Sequence, residues 1–371
     1  MTLSLPADPP RARSLTGVVP QVFRSLDGED GWFAASRSAI VFLVDGLGAL
    51  NLRARAGHAR FLARVGLRSD VARTVFPSTT AAALTSLLTA TDAGRHGIAG
   101  YRLRVPETGA VVNQLRGWDT DGLDRSWLRA APLTDEDRPT YVVSKAEYAG
   151  TGLTDAIMHG AIFVGADDLD QRMAAAAEIA NTVDGAFVYL YAPELDAVGH
   201  KHGWESERWL ETLERLDAAA ALLARAIAPD VGLLVTADHG MVDVPRHRHV
   251  LLSEGDRLVH GVAEIGGEPR MLHLYAEPGC EDDLLDAWRD AESGRSWVLS
   301  RAEAVASGLF GAHVDHAVAA RLGDVLVAAR ATIAYYDDRV ADKAPQKMIG
   351  QHGSLTDQER IVPLLRLGAY A

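Results

Sequence analysis

Six acidic and imidazole side chains are placed in this sequence as ligands of divalent metal ions would be. Asp196 and His200 are four positions apart, which puts both on one face of a helix, and Asp238 and His239 are adjacent. Carboxylates and neutral imidazoles suit Zn²⁺, with Mn²⁺ or Mg²⁺ as alternatives. Two such ions in one site hold the attacking and the leaving oxygen of a phosphoryl displacement. The candidate ligands, enough for two ions, are Asp45, Asp196, His200, Asp238, His239 and His352.

Two threonines follow a proline at a predicted junction between a strand and a helix. A β-branched run ends at Phe76-Pro77-Ser78, and an alanine-rich apolar segment with helical spacing follows it. Thr79 and Thr80 therefore stand where the first N–H groups of a helix lack partners within it, which favours a bound phosphoryl group. A hydroxyl at this point is either a nucleophile or an N-cap, and this stretch alone favours the cap.

The elements that position these groups are apolar runs of strand length at residues 38–44, 185–191 and 231–236. A run that is apolar at every position is typical of a strand buried on both faces of a parallel sheet. Each run delivers an aspartate at its carboxyl end or a few residues later, where open α/β sheets bind their ligands. Helical patterns cover residues 167–180 and 205–226. The sequence predicts an α/β fold, a mostly parallel sheet with helices on both faces.

The region from residue 244 to 343 differs in character from the rest of the chain. It reads as short strands around one helix, near residues 282–291, and we expect an inserted small α+β cap over the site. The α/β core that binds metal then comprises residues 1–243 and 344–371. Residues 102–140 have no clear pattern, and we expect substrate selection to depend on them and on the cap.

Composition limits the classes of partner. The chain has 371 residues, 48% of them apolar, and a formal net charge of −13, which argues against a nucleic-acid polymer or an anionic membrane. The single cysteine, Cys280, excludes an internal disulfide and a thiolate-rich metal site. No basic-then-apolar leader or membrane-spanning run is present, so we expect a cytoplasmic location.

Five motifs in order along the chain together resemble the alkaline phosphatase superfamily. They are Asp45-Gly after a buried strand, Pro77-Ser-Thr-Thr80, Asp196-x-x-Gly-His200, Asp238-His239-Gly-Met and His352-Gly-Ser. Within the superfamily, the chain is most similar to the branch of nucleotide pyrophosphatases/phosphodiesterases and phosphonoacetate hydrolases. The resemblance covers the predicted sheet and barely touches residues 102–140 and 244–343. Cys280 lacks the sequence context of the sulfatase nucleophile.

The resemblance implies which residues bind each metal ion and which residue is the nucleophile. One metal ion would be held by Asp196, His200 and His352, and the second by Asp45, Asp238 and His239. Counting back from the histidine of the His96-Gly-Ile segment on the family pattern selects Thr80 rather than Thr79 as the nucleophile. The family pattern has an asparagine where this chain has Tyr101, so the donor to the phosphate oxygen is either Tyr101 or Asn113.

The expected activity is hydrolysis of small phosphate esters through a phosphothreonine intermediate. A phosphodiesterase or nucleotide pyrophosphatase is the first expectation, with a phosphomonoesterase or a phosphonate hydrolase as the alternative. A metal-binding protein without turnover is the rival from another class. A small-molecule ester or nucleotide is the expected partner, and a homodimer is left open. His247, His249, His313 and His316 have spacings that a metal could use but lie in the predicted cap, so we expect no metal there.

Overall fold

The computed structural model describes residues 4–66, 68–120, 122–135 and 138–371. Its strands are β1 Ser38–Val44, β2 Val71–Arg73, β3 Arg102–Arg104, β4 Val111–Asn113, β5 Thr140–Ser144, β6 Ile162–Gly165, β7 Phe187–Ala192, β8 Val231–Thr236, β9 Val242–Asp243, β10 His249–Leu252, β11 Val262–Glu268, β12 Met271–Ala276, β13 Ser296–Ser300, β14 Val325–Ala329, β15 Ala334–Asp337, β16 Gly350–Gln351 and β17 Ile361–Gly368.

The α-helices lie mostly between the strands of the main sheet. They are α1 Val18–Leu26, α2 Ala49–Ala54, α3 Arg60–Val65, α4 Thr80–Thr89, α5 Ala93–His96, α6 Gly117–Thr120, α7 Gly152–Ile157, α8 Leu169–Thr182, α9 Glu194–His202, α10 Glu207–Ala226, α11 Glu281–Glu292, α12 Arg301–Ala306, α13 His316–Ala319 and α14 Asp357–Arg360. Over the described residues, the structure has no helix long and apolar enough to cross a membrane.

A seven-stranded sheet with the order β2-β17-β8-β1-β7-β5-β6 forms the centre of the protein. Strands β8, β1, β7, β5 and β6 run parallel to one another, whereas β17 runs antiparallel to both β8 and β2. Every residue of β1, β7 and β8 is buried. Because successive residues of a strand point to opposite faces, both faces of the sheet are covered there. The predicted α/β fold with a mostly parallel sheet is confirmed.

The segment between β9 and β16 carries a second sheet, which is antiparallel and has the order β11-β12-β14-β13. One of its faces has its own core, built around residues such as Leu274 and Trp288. Side chains from the other face, among them Met271 and Leu326, join the core of the main sheet. The expected boundaries of the cap at residues 244 and 343 stay a prediction.

Candidate active site

The carboxyl ends of three neighbouring strands bring the predicted aspartates together. Asp45 follows β1 directly, Asp238 lies two residues beyond β8, and Asp196 is in the first turn of α9, which follows β7. Because β8, β1 and β7 are adjacent and parallel, their carboxyl ends lie at the same edge of the sheet. The three aspartates therefore face one cleft.

The six predicted ligands form two groups of three, divided as the resemblance implies. One group is Asp196, His200 and His352, the other is Asp45, Asp238 and His239, and one ligand atom of each residue lies within 4.8 Å of the others in its group. The groups are neighbours, since the rings of His239 and His352 stack with their centroids 3.6 Å apart. These are the groups of this kind among the described residues. Their role as metal ligands stays a prediction.

The three histidines present the ring nitrogen that a metal would need. Each Nδ1 lies beside a backbone carbonyl, at 2.7 Å for His200 and Gly350, 2.9 Å for His352 and Ser78, and 3.1 Å for His239 and Gly240. Because a carbonyl only accepts hydrogen bonds, each Nδ1 carries a proton, which leaves Nε2 as the nitrogen of each ring that can bind a metal. Burial and the neighbouring imidazoles lower the pKa of His352 well below its usual value.

Two of these Nε2 atoms point at each other. The Nε2 atoms of His200 and His352 are 3.2 Å apart. The same cleft holds three carboxylate oxygens that are buried and accept no hydrogen bond, namely Oδ1 of Asp45, Oδ1 of Asp196 and Oδ2 of Asp238. A buried charge without a partner is strongly unfavourable. Lone pairs and oxygens converging in this way fit divalent cations.

The carboxylate of Asp45 is buried close to two other carboxylates. Its Oδ2 accepts a hydrogen bond from the hydroxyl of Tyr191, and its Oδ1 is 3.5 Å from Nε2 of His239. Burial, followed by the charges of Asp238 and Asp196, raises the pKa of Asp45 well above its usual value. A positive charge in the cleft would oppose this shift.

Thr80 is the first residue of α4, and Thr79 occupies the N-cap position. The Thr80 hydroxyl is 3.1 Å from Nε2 of His239 and donates to its lone pair. Ser78, just before this turn, makes an isolated bridge to Gly353, which follows His352. These contacts hold the candidate nucleophile next to both groups of candidate metal ligands. Its role as nucleophile stays a prediction.

Side chains that sequence reasoning missed hold the loops of the site. Asn51 in α2 is fully buried; its Nδ2 donates to the carbonyl of Met241 at 3.0 Å, and its Oδ1 accepts from the N–H of that residue at 3.3 Å. Arg172 in α8 is also fully buried and pairs with Glu194 at the start of α9. Because these contacts join residues far apart in sequence, no local pattern marks them.

The structure separates the two predicted substrate contacts. Oδ1 of Asn113 accepts hydrogen bonds from the N–H groups of Leu115 and Arg116, so this oxygen is used in a local turn. Tyr101, just before β3, lines a cavity whose other walls come mainly from the inserted segment. Contact of Tyr101 or Asn113 with a phosphate oxygen stays a prediction.

His96 is a structural histidine. Its Nδ1 accepts from the N–H of Ile98 at 3.1 Å, so Nε2 carries the proton and donates to Ser86 at 2.8 Å. Burial lowers the pKa of His96 to about 3, with a further contribution from the charge of Arg321. The ring therefore stays neutral and holds its loop in place.

The fold is a mostly parallel α/β sheet. Its carboxyl edge carries two groups of candidate metal ligands and a threonine at the start of a helix. Together these features define a hydrolase of the alkaline phosphatase superfamily. The profile of the family described as Type I phosphodiesterase / nucleotide pyrophosphatase matches residues 39–355. The chain belongs to this family of phosphate ester hydrolases, and the predicted branch is confirmed.

Solved structures of similar fold come from the same branch. Mouse ectonucleotide pyrophosphatase/phosphodiesterase 5 is 17% identical over 88% of this chain and 87% of that chain, with a TM-score of 0.68. Phosphonoacetate hydrolase from Sinorhizobium meliloti 1021, in complex with phosphonoacetate, is 21% identical over 90% and 91%, with a TM-score of 0.69. At these identities the likeness establishes the fold. A search of curated proteins gave no match.

Proposed function

We propose that this protein is a phosphodiesterase that uses Thr80 as its nucleophile and two divalent metal ions, with zinc as the first choice and manganese or magnesium as alternatives. The observation that carries the proposal is the position of the Thr80 hydroxyl, 3.1 Å from Nε2 of His239 at the start of α4. Asp196, His200 and His352 would hold one ion, and Asp45, Asp238 and His239 the other. When bound, such ions supply positive charge to the attacking and leaving oxygens and favour ionisation of the threonine hydroxyl.

The residues of the chain then perform a double displacement. Oγ1 of Thr80 forms a bond to phosphorus as the bond from phosphorus to the leaving alcohol breaks, and the threonine proton ends on that alcohol. Water then cleaves the phosphothreonine and restores the hydroxyl. The unpaired N–H groups at the start of α4 favour the negative charge of the phosphoryl group. The Nδ1–H donations to backbone carbonyls keep the three imidazoles in one tautomer and orientation.

Small phosphate diesters and nucleotides are the proposed substrates. The mouse relative has been solved as an inactive threonine-to-alanine variant in complex with AMP, which supports a small nucleotide ligand. A phosphonate or phosphomonoester is the second candidate, because the phosphonoacetate hydrolase is as similar in fold as the mouse protein. The net charge of −13 disfavours a nucleic-acid polymer. The cytoplasmic location and a homodimer stay predictions.

Hydrolysis of paired chromogenic substrates tests the proposal. Zinc- or manganese-loaded wild type is expected to cleave bis-p-nitrophenyl phosphate faster than p-nitrophenyl phosphate, and Thr80→Ala is expected to lose at least about 10³-fold in kcat. Thr89→Ala, a buried threonine at the other end of α4, is the matched control and should retain activity. Faster monoester cleavage would favour the second candidate. Activity retained in Thr80→Ala would refute the role of Thr80 as the nucleophile.

A further inference from the structure

The hydroxyl of Tyr191 contacts one of the candidate metal ligands. Tyr191 is the next-to-last residue of β7 and donates to Oδ2 of Asp45, which follows the neighbouring strand β1. The ring is 9% exposed and packs against two other tyrosines, with centroid distances of 6.2 Å to Tyr189 and 6.0 Å to Tyr148. The backbone carbonyl of Tyr191 accepts from Nη1 of Arg172 at 2.8 Å. These contacts with its ring and backbone hold the hydroxyl against Asp45.

The two aspartates grouped with His239 each keep one carboxylate oxygen free. Oδ1 of Asp238 accepts from the N–H groups of Gly46 and His239 at 3.1 and 2.9 Å, whereas its Oδ2 is buried and has no hydrogen-bond partner among the described residues. Oδ2 of Asp45 accepts from Tyr191, whereas its Oδ1 is likewise buried and unpartnered. Because protein donors occupy the second oxygen of each carboxylate, each aspartate offers a metal ion a single oxygen.

The aspartate of the other group lacks such a restraint. Oδ1 of Asp196 is buried without a hydrogen-bond partner, and its Oδ2 lies 3.4 Å from Nε2 of His200, which is itself a candidate ligand. Within the part of the chain that the structure describes, no protein group donates a hydrogen bond to either oxygen of Asp196. Both oxygens are therefore open, and this carboxylate can bind an ion through one of them or through both.

The number of oxygens that an aspartate offers affects which ion a site prefers. Zn²⁺ in proteins is usually four-coordinate, whereas Mn²⁺ and Mg²⁺ favour octahedral sites that are rich in oxygen ligands. Single oxygens of Asp45 and Asp238, Nε2 of His239 and the Thr80 hydroxyl, 3.1 Å from that nitrogen, make a set of four ligands. This set suits zinc, and a second oxygen from Asp45 would shift it towards manganese.

We propose that Tyr191 is a positioning residue that restricts Asp45 to one oxygen and so makes the site of Asp45, Asp238 and His239 selective for zinc over manganese. The proposal rests on the proposed function, which requires an ion at each group. Removing the hydroxyl should weaken zinc binding by about 10–100-fold, the usual effect of losing the hydrogen-bond partner of a metal ligand. Manganese binding should weaken less, because the freed oxygen of Asp45 becomes a further ligand.

Metal titrations against a chelating indicator test this role, in a His200→Ala background that disables the other group. Tyr191→Phe should lower the ratio of the manganese Kd to the zinc Kd by about tenfold or more. Tyr189→Phe is the matched control, because Tyr189 lies on the same strand, packs on Tyr191 and has a buried hydroxyl without a hydrogen-bond partner among the described residues. The control should keep the ratio of the parent protein.

The ratio of the two constants distinguishes positioning from a general loss of structure. A site that is merely distorted binds both metals more weakly to the same extent, so an unchanged ratio in Tyr191→Phe overturns the proposal. Metal binding is measured without substrate, which separates it from turnover. A lowered ratio in a protein whose wild type cleaves neither p-nitrophenyl substrate refutes the proposed function and leaves the role of Tyr191 standing. Cleavage by wild type with an unchanged ratio refutes the role of Tyr191 alone.

Discussion

Asp238→Asn should stabilise the metal-free protein while removing one of its metal sites. Oδ1 of Asp238 accepts from the N–H groups of Gly46 and His239 at 3.1 and 2.9 Å, and an amide oxygen would keep these bonds. Oδ2 has no hydrogen-bond partner and lies 3.3 Å from Nε2 of His239, so an uncharged amide group at this position loses no hydrogen bond. The substitution thus removes one of the mutually repelling carboxylates and keeps the existing hydrogen bonds.

The size of the effect follows from the spacing of the carboxylates. Ligand oxygens of Asp45 and Asp238 lie within 4.8 Å of each other, so with both ionised their repulsion is at least about 3 kcal/mol at an effective dielectric constant of about 20. Because the pKa of Asp45 is raised, wild type avoids this repulsion at low pH and loses stability as the pH rises. With an unfolding entropy of about 0.8 kcal/mol/K for 371 residues, 3 kcal/mol corresponds to about 4 °C in Tm.

Thermal unfolding with chelator and with zinc measures both effects. With chelator, Asp238→Asn should exceed wild type by about 4 °C at pH 9 and by little at pH 5. Zinc at about 100 times its Kd adds about 2.7 kcal/mol per site, and the variant should lose this gain at one site. Asp217→Asn is the control, because this carboxylate accepts from two backbone N–H groups near α3 and should leave the zinc shift unchanged. A lower Tm with chelator, or a zinc shift equal to that of wild type, would refute the reasoning.

Three further substitutions test the supports of the site. Asn51→Ala should lower the unfolding free energy by about 2 kcal/mol in urea titrations and reduce kcat, because it leaves the backbone of Met241 unsatisfied. Arg270→Met should destabilise the protein by about 3–5 kcal/mol in the same assay, since Glu359 stays buried without its partner. The pKa of Glu268, the last residue of β11, rises from 4.5 to about 8 on folding. The protonated carboxyl therefore contributes fully to folding stability below pH 4.5, and this contribution is lost as the pH rises through 8. Wild type should therefore lose about 5 kcal/mol relative to Glu268→Gln over this range in urea titrations at stepped pH; parallel curves would contradict this.

The buried strands and the ligands that follow them could be predicted from the sequence because burial on both faces leaves a local signal. The apolar runs at 38–44 and 231–236 coincide with Ser38–Val44 and Val231–Thr236, and an aspartate after such a run has few alternatives to the edge of the sheet. Glu268 and Asn51 could not be found in this way. Their roles depend on contacts with Gly353 and Met241, which are distant in sequence and leave no periodicity.

The inserted segment shows a second limit of local patterns. The runs near residues 324–328 and 331–335 are consecutive and apolar, yet β14 belongs to the four-stranded sheet, whereas β15 pairs in parallel with β10. Strand partners are chosen by tertiary packing, and two runs joined by a short connection need not form a hairpin. The cavity beside Glu268 is lined by residues of both the four-stranded sheet and β15, so its lining residues could not be predicted from the sequence either.

The antiparallel strand β17 explains how His352, near the end of the chain, reaches a site built by much earlier residues. In a parallel sheet every strand is entered at the edge opposite the active site, so residues just before a strand lie far from it. Because β17 runs antiparallel to β8, with Leu364 opposite Thr236, it is entered at the carboxyl edge, and the segment from Gly350 to Arg360 lies there. β2, which pairs with the start of β17, runs parallel to β8 and delivers the turn before Thr80 to the same edge. Because β17 runs in the opposite direction, His352 and Thr80 come close together. The bridge between Ser78 and Gly353 joins the two segments that carry them.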